Sequence, residues 1–305
     1  MEKWKFTYKI IHGENMKQQN IFWLICSFLI LTACAPKKPL TYDVESSKAL
    51  NIAKAAKMDY GLKDVAVPKD TVADFRNTKT FGLAYGLAGY NSPTSGLSAS
   101  GSAGMNLLAW ALLPKSPSSR NSIIAWMPEE VGGQSKESAL DKMADFIIEA
   151  TEKAAQELEF STKTFIAKNG TDKRGFAVSL TNNESKYCKV SSKPNSTVSD
   201  CKIVYKVRYP RKIENIAQYV GQGPSWYFDP VDRQYTSMLF DKKAGYEYNQ
   251  LELLVKISEY LPNWTYIYLA PGYVNIEKGQ KVNVPLIINR GEIHYFVKPI
   301  FRISY

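Results

Sequence analysis

Histidine is nearly missing from this 305-residue chain, which holds only His12 and His294. The four cysteines, Cys26, Cys34, Cys188 and Cys201, include no C-x-x-C pair. These scarcities leave no His/Cys ligand set for a zinc site and no dithiol redox motif. Beyond the leader described below, a Ser-His-Asp triad has only His294 to use, and the G-x-S-x-G elbow is missing. Neither G-x-x-x-x-G-K-[ST] nor G-x-G-x-x-G occurs, nor a D-x-D-x-D-G calcium loop, so no cofactor or metal is expected. No five lysines or arginines stand in a row, and nucleic acid is not an expected partner. No apolar run reaches the roughly 20 residues of a transmembrane helix, and no internal repeat is visible.

What is present is an ordinary globular composition, 45% hydrophobic and 12% aromatic, with a formal net charge of +10. Aromatics at that level can fill a core, which argues against disorder of the whole. The first 33 residues carry Lys3, Lys5, Lys9 and Lys17 against Glu2 and Glu14, a balance of +2, so the remainder carries +8. A basic body suits anionic partners: phospholipid headgroups or cell-wall polymer.

Ile21–Leu31 is an apolar stretch too short to cross a bilayer. Lys17 precedes it and small residues follow, the layout of a secretory signal peptide. It ends in Leu31-Thr32-Ala33-Cys34. This box, over about Met16–Cys34, resembles the lipobox of bacterial lipoproteins. The resemblance implies that Cys34 receives a diacylglycerol, that the leader 1–33 is cut off before it, and that the new amino terminus is acylated. In that class an Asp directly after the Cys holds the protein in the inner membrane; Ala35 stands there, which implies the outer membrane, facing the periplasm. MEKWKFTYKIIHGEN does not read as a signal start, and Met16 is the expected true start. The next residues, Ala35-Pro36-Lys37-Lys38-Pro39, read as a stiff extended tether with two charges for anionic headgroups.

An exported body permits disulfides. Cys188 and Cys201 flank a twelve-residue polar stretch containing Pro194-Asn195, with strand-like residues on both sides. A hairpin stapled at its base by a Cys188–Cys201 bridge is expected.

Four parts follow along the chain: the leader 1–33, a lipidated tether with a short helix over 34–60, an α/β part over 61–161, and a β-rich part over 162–305. The short helix takes Ala49, Ile52, Ala53 and Ala56 at helical spacing after a capping Ser pair. Residues 61–79 read as irregular. Thr80–Pro114 holds no charged residue; it reads as two apolar arms joined by a Gly/Ser-rich link, either core or a membrane-dipping hairpin. Ser122–Pro128 reads as a strand. Glu137–Phe160 is the clearest helix, with Leu140, Met143, Phe146, Ile147, Ala150, Ala154 and Leu158 in one stripe. Later strands include Lys202–Tyr209, with one packed and one basic face, and a second helix spans Asn249–Tyr260. The expected fold class is α+β, with a β-rich C-terminal half, a mixed or antiparallel sheet, and the long amphipathic helix packed on it.

One stretch offers chemistry. Gly223–Tyr235 brings Trp226, Tyr227 and Phe228 before Asp229, Asp232 and Arg233. Aromatic faces with carboxylates and Arg bind sugars, and two carboxylates at the right separation hydrolyse glycosides. The same residues also suit an aromatic corner of the core. Three roles are therefore open: a lipid-anchored envelope protein with a structural, assembly or cell-wall-binding role, a glycan-acting enzyme using Asp229 and Asp232, or a membrane-inserting protein using 80–114. Expected partners are the membrane through the anchor and an envelope complex or anionic cell-wall polymer.

Overall fold

The computed structural model describes residues 40–59, 61–67, 120–167, 173–182, 188, 201–230, 237–240, 248–275, 281–282 and 284–299. All belong to one compact unit, Leu40–Tyr305. Cys34, the segment 80–114, Asp232 and Arg233 lie outside the described residues.

The organising element is β2, Ser122–Pro128, whose sequence SIIAWMP offers apolar side chains to both faces. Six of its seven residues are buried, as for a strand covered on both sides. On one edge it pairs with β9, Thr265–Leu269, which continues to β10, Leu286–Asn289, and β11, Glu292–Tyr295. On its other edge lie two strands end to end. Here β7, Ser225–Phe228, opposes Pro128 back to Ala125, and β8, Ser237–Phe240, opposes Ser122. From β8 the sheet runs through β5, Lys202–Arg208, and β4, Lys173–Thr181, to β3, Ser161–Ala167. A short β6, Arg211–Ile213, borders β7. Every pairing in this ten-stranded sheet is antiparallel. The fold is α+β and β-rich. Because β2 precedes residue 161 and its neighbours follow it, one sheet is assembled across that division of the sequence.

The stretch 61–79, read as irregular, contains a strand. Val65–Val67 forms β1 and pairs in parallel with β12, Val297–Pro299. Three residues carry too little periodicity to be read, and their partner lies at the far end of the chain.

Helices cover the sheet unequally. One face receives α3, Lys136–Glu157, and α4, Gln250–Tyr260; between Lys136 and Pro128 lies the short α2, Glu129–Gly132. Ser135 caps α3 by accepting from the Ser138 amide, and Asn249 caps α4 by accepting from Glu252. The expected stripe is the buried one: Leu140, Met143, Ile147, Ala150 and Ala154 pack on Ile123, Val178, Ile203 and Tyr205, with Phe146 and Leu158 partly buried beside them. Inside this layer Thr151 hydroxyl donates to the Ile147 carbonyl at 2.7 Å and meets the Tyr205 hydroxyl at 2.9 Å. Burial pushes the Tyr205 phenol well above its usual range. Between β10 and β11, Arg290 and Gly291 take φ of 54° and 76°, the primed geometry of a two-residue hairpin.

Among the described residues, one helix lies on the opposite face. There α1, Lys48–Ala55, lies with Met58 and Leu62 over Ile124, Trp126, Tyr227, Tyr266, Tyr268 and Ile287. Its start is tied by Asn51, whose amide donates to the carbonyls of Asp43, Ser46 and Ser47 while its oxygen accepts from the Asp43 amide. Asp43 in turn accepts from the Ser46 hydroxyl at 2.6 Å and Lys54 at 2.9 Å. These bonds, Ser46 first, lower the Asp43 carboxyl to about 2. A depressed carboxyl contributes above its free value of 3.8 and is lost as pH falls through about 2. An NMR titration of the Asp43 carboxyl is expected to show its midpoint near 2; a midpoint near 3.8 would mean the hook is open in solution.

Candidate functional site

The aromatic stretch is built into the core. In β7, Trp226, Tyr227 and Phe228 are all buried, alternating between the two faces. Trp226 Nε1 donates to the Gly133 carbonyl at 2.7 Å. A side chain at Gly132 would collide with the Trp226 ring, so the tight connection from β2 to α3 requires glycine there. Phe228 sits under the helical layer. Tyr227 points to the other face, where its hydroxyl donates to the Ala56 carbonyl at 2.9 Å.

Tyr227 is also the middle of a stack. Trp126 lies along one side of its ring, 5.4 Å between centroids with 22° between planes, and Tyr266 meets Trp126 edge-on at 5.6 Å. The Arg211 guanidinium sits 5.1 Å from the Tyr227 centroid. Arg211 also reaches Asp229 Oδ2 at 2.8 Å. The register explains the meeting: Arg211 of β6 opposes Tyr227, and Asp229 lies two residues farther on the same side. Burial, then the Asp229 charge, pushes the Tyr227 phenol far above its usual range. Nearby, Lys212 pairs with Glu129 at 2.7 Å, and Arg120 donates to the Pro230 carbonyl at 3.3 Å.

This arrangement leaves the three aromatic rings committed to packing, and one Asp229 oxygen committed to Arg211. Sequence reading missed Arg211, because its link to Asp229 depends on the three-residue β6 following Pro210. A basic residue directly after the strand-breaking proline was the available signal.

The expected disulfide is present. Cys188 and Cys201 are bridged, with Cα atoms 5.1 Å apart and both side chains fully buried. The bridge is built into the end of the β4–β5 pair: Leu180 donates its amide to the Cys201 carbonyl at 2.7 Å, and Asn182 donates to Cys188 at 2.9 Å. The polar stretch between the cysteines lies outside the described residues. His294 stands on β11 opposite Ile287, partly buried, with Nε2 at 3.8 Å from Glu292. Among the described residues no three His, Cys, Asp or Glu side chains come together as a metal site, and no helix is long and apolar enough to cross a membrane.

The remaining feature is a surface. On β5, Ile203, Tyr205 and Val207 are buried, while Lys202, Val204, Lys206 and Arg208 face the other way. The register carries this outer face across the strands. Phe165, Ala177, Val204 and Leu239 form one row, and Lys163, Ser179 and Lys202 another. Among the described positions of these strands, this face bears cations, apolar groups and hydroxyls and no carboxylate, with Ser179 buried at 1% exposure. Comparison of the whole chain with protein families, curated proteins and solved structures finds no match in any of the three.

Proposed function

We propose that the protein is a lipid-anchored envelope protein of the bacterial lipoprotein class, held at the membrane through Cys34, with a structural, assembly or polymer-binding role. The observation that carries the reading is the box Leu31-Thr32-Ala33-Cys34 directly after the apolar stretch Ile21–Leu31. The thiol is the acceptor that lipidation requires, and the small residues before it allow an extended segment into a peptidase. Several acyl chains bury methylenes at about 0.8 kcal/mol each, which makes detachment slow.

Two further features support it. The buried Cys188–Cys201 bridge belongs to an oxidising compartment, where an exported protein resides. The aromatic stretch that best suited an enzyme serves as packing, with Asp229 engaged by Arg211. The basic outer positions of β5 fit binding or assembly.

Metabolic labelling with radioactive palmitate tests the anchor. Label is expected on the wild-type protein and not on Cys34→Ser, with the wild type recovered in the membrane fraction. An unlabelled wild type, or equal labelling of the variant, would overturn the reading.

A further inference from the structure

Seven large apolar side chains are exposed among the described residues. Four of them, Ile166, Leu239, Tyr260 and Tyr273, are scattered along the chain. The other three, Leu40, Tyr42 and Val44, fall within five residues, at 49%, 45% and 81% exposure. Single exposed apolar groups are ordinary, whereas a cluster of them marks a contact.

This stretch is fastened to the body. The Ser46 amide donates to the Asp43 carbonyl at 3.1 Å, closing a turn with Val44 and Glu45 at its corners. The Glu45 amide donates to the Asp43 carboxylate, also at 3.1 Å. Asp and Ser are residues that such turns favour, but a β-branched aliphatic group at an exposed corner is not. Asn51 ties Asp43 to α1. Tyr42 meets Tyr219 edge-on at 5.4 Å, and the Tyr219 hydroxyl donates to the Asn51 carbonyl. The turn is therefore shaped by its polar residues and by α1, and it holds Val44 out from the body without the help of any partner.

Position along the chain says what meets it. Leu40 is six residues past Cys34. Fully extended, six residues span about 20 Å, less than the width of a small domain. A body tethered that closely by its amino end brings the surroundings of that end to the headgroups first.

We propose that Leu40, Tyr42 and Val44 form a second, apolar contact with the bilayer, seated at the boundary of headgroups and acyl chains beside the lipidated Cys34. This rests on the anchor at Cys34 proposed above and names the part of the body that meets the membrane. A tyrosine, with an apolar ring and a polar tip, suits that depth, and the leucine and valine side chains pass just beneath the headgroups. An acylated terminus alone leaves the body free to swing; a second point on a fastened turn sets its tilt. The charges within the stretch are Asp43, paired with Lys54 at 2.9 Å, and Glu45. The contact is thus apolar, needs no anionic lipid and persists in salt.

The test places an environment-sensitive fluorophore on Val44→Cys in the full-length protein, reconstituted in phosphatidylcholine vesicles. The other thiols do not compete, because Cys188 and Cys201 are bridged and Cys34 is acylated. Ile166→Cys carries the control probe. It is 59% exposed and opposes Phe176, which packs under the helical layer, so it lies on the side of the sheet away from α1. In buffer, read in the Cys34→Ser background, aqueous iodide should quench the Val44 probe more than the Ile166 probe, as their exposures dictate. On the vesicles the order should reverse, with the Val44 probe quenched about threefold less than the Ile166 probe and instead quenched by a nitroxide carried near the lipid headgroup. High salt should leave this unchanged. The buffer order persisting on the vesicles would overturn the proposal. So would shielding that is lost when the protein is diluted over more vesicles, which would assign Val44 to a second copy of the chain.

The two readings fail separately. Palmitate-labelled protein whose Val44 probe stays open to iodide keeps the anchor and discards the contact. If the protein takes no palmitate, the same probe is read on vesicles in the Cys34→Ser background. Shielding there keeps the contact and discards the anchor, and its absence discards both.

Discussion

Trp126→Ala is expected to lower the stability of the folded unit by about 3–5 kcal/mol, the range for removing a large buried aromatic. Trp126 is 2% exposed and belongs to the strand on which both halves of the sheet are assembled. Its loss removes the layer between Tyr227 and Tyr266 and leaves a cavity beneath α1. Rings in such contact contribute about 0.5–1.5 kcal/mol beyond their buried area, and two contacts are lost at once. Domains of ordinary stability have about 5–15 kcal/mol in all, so the variant should unfold at a much lower urea concentration. Trp126→Phe keeps an aromatic in place and should cost distinctly less. A midpoint for Trp126→Ala within about 1 kcal/mol of wild type would show that α1 collapses onto the vacated space.

Replacing both Cys188 and Cys201 by alanine is expected to cost about 3 kcal/mol, the chain-entropy value for a loop of this length. The two positions are separated by 13 in sequence and sit at the mouth of the β4–β5 pair. If the bridge acts on the unfolded chain, the variant's unfolded state expands, and the slope of stability against urea rises as the midpoint falls. A fall in midpoint with an unchanged slope would place the effect in native packing, where both sulfurs are fully buried. No change in midpoint would mean that the bridge is not formed in the native protein.

Local signals were legible because they are local. Ser122–Pro128 was readable as a strand from its apolar run and closing proline, and it is β2. The long helix announced itself by its apolar stripe, and the stretch Asn249–Tyr260 contains the second helix. The alternation in Lys202–Tyr209 gave the packed and basic faces of β5 directly. What the sequence could not display is which strands become neighbours. Every residue of β9 is buried, because α1 covers the face that Tyr266 and Tyr268 occupy and the helical layer covers the other. Trp226, Tyr227 and Phe228 fitted either a sugar site or a core corner until β2 was found beside them. The same limit hid the Arg211–Asp229 pair, made through a three-residue strand.

The two strands end to end along β2 have a consequence for how this protein tolerates change in length. Phe228 faces Ala125 and Ser237 faces Ser122, so residues 229–236 are inserted where the rail offers only Ile123 and Ile124. Both flanks are pinned independently, and their alignment owes nothing to the number of residues between them. Lengthening that interval costs only the closure of a larger ring, about 0.6 kcal/mol for each doubling. The interval is thus a place where related chains can differ in size, or a peptide be grafted, while the surrounding ladder keeps its register.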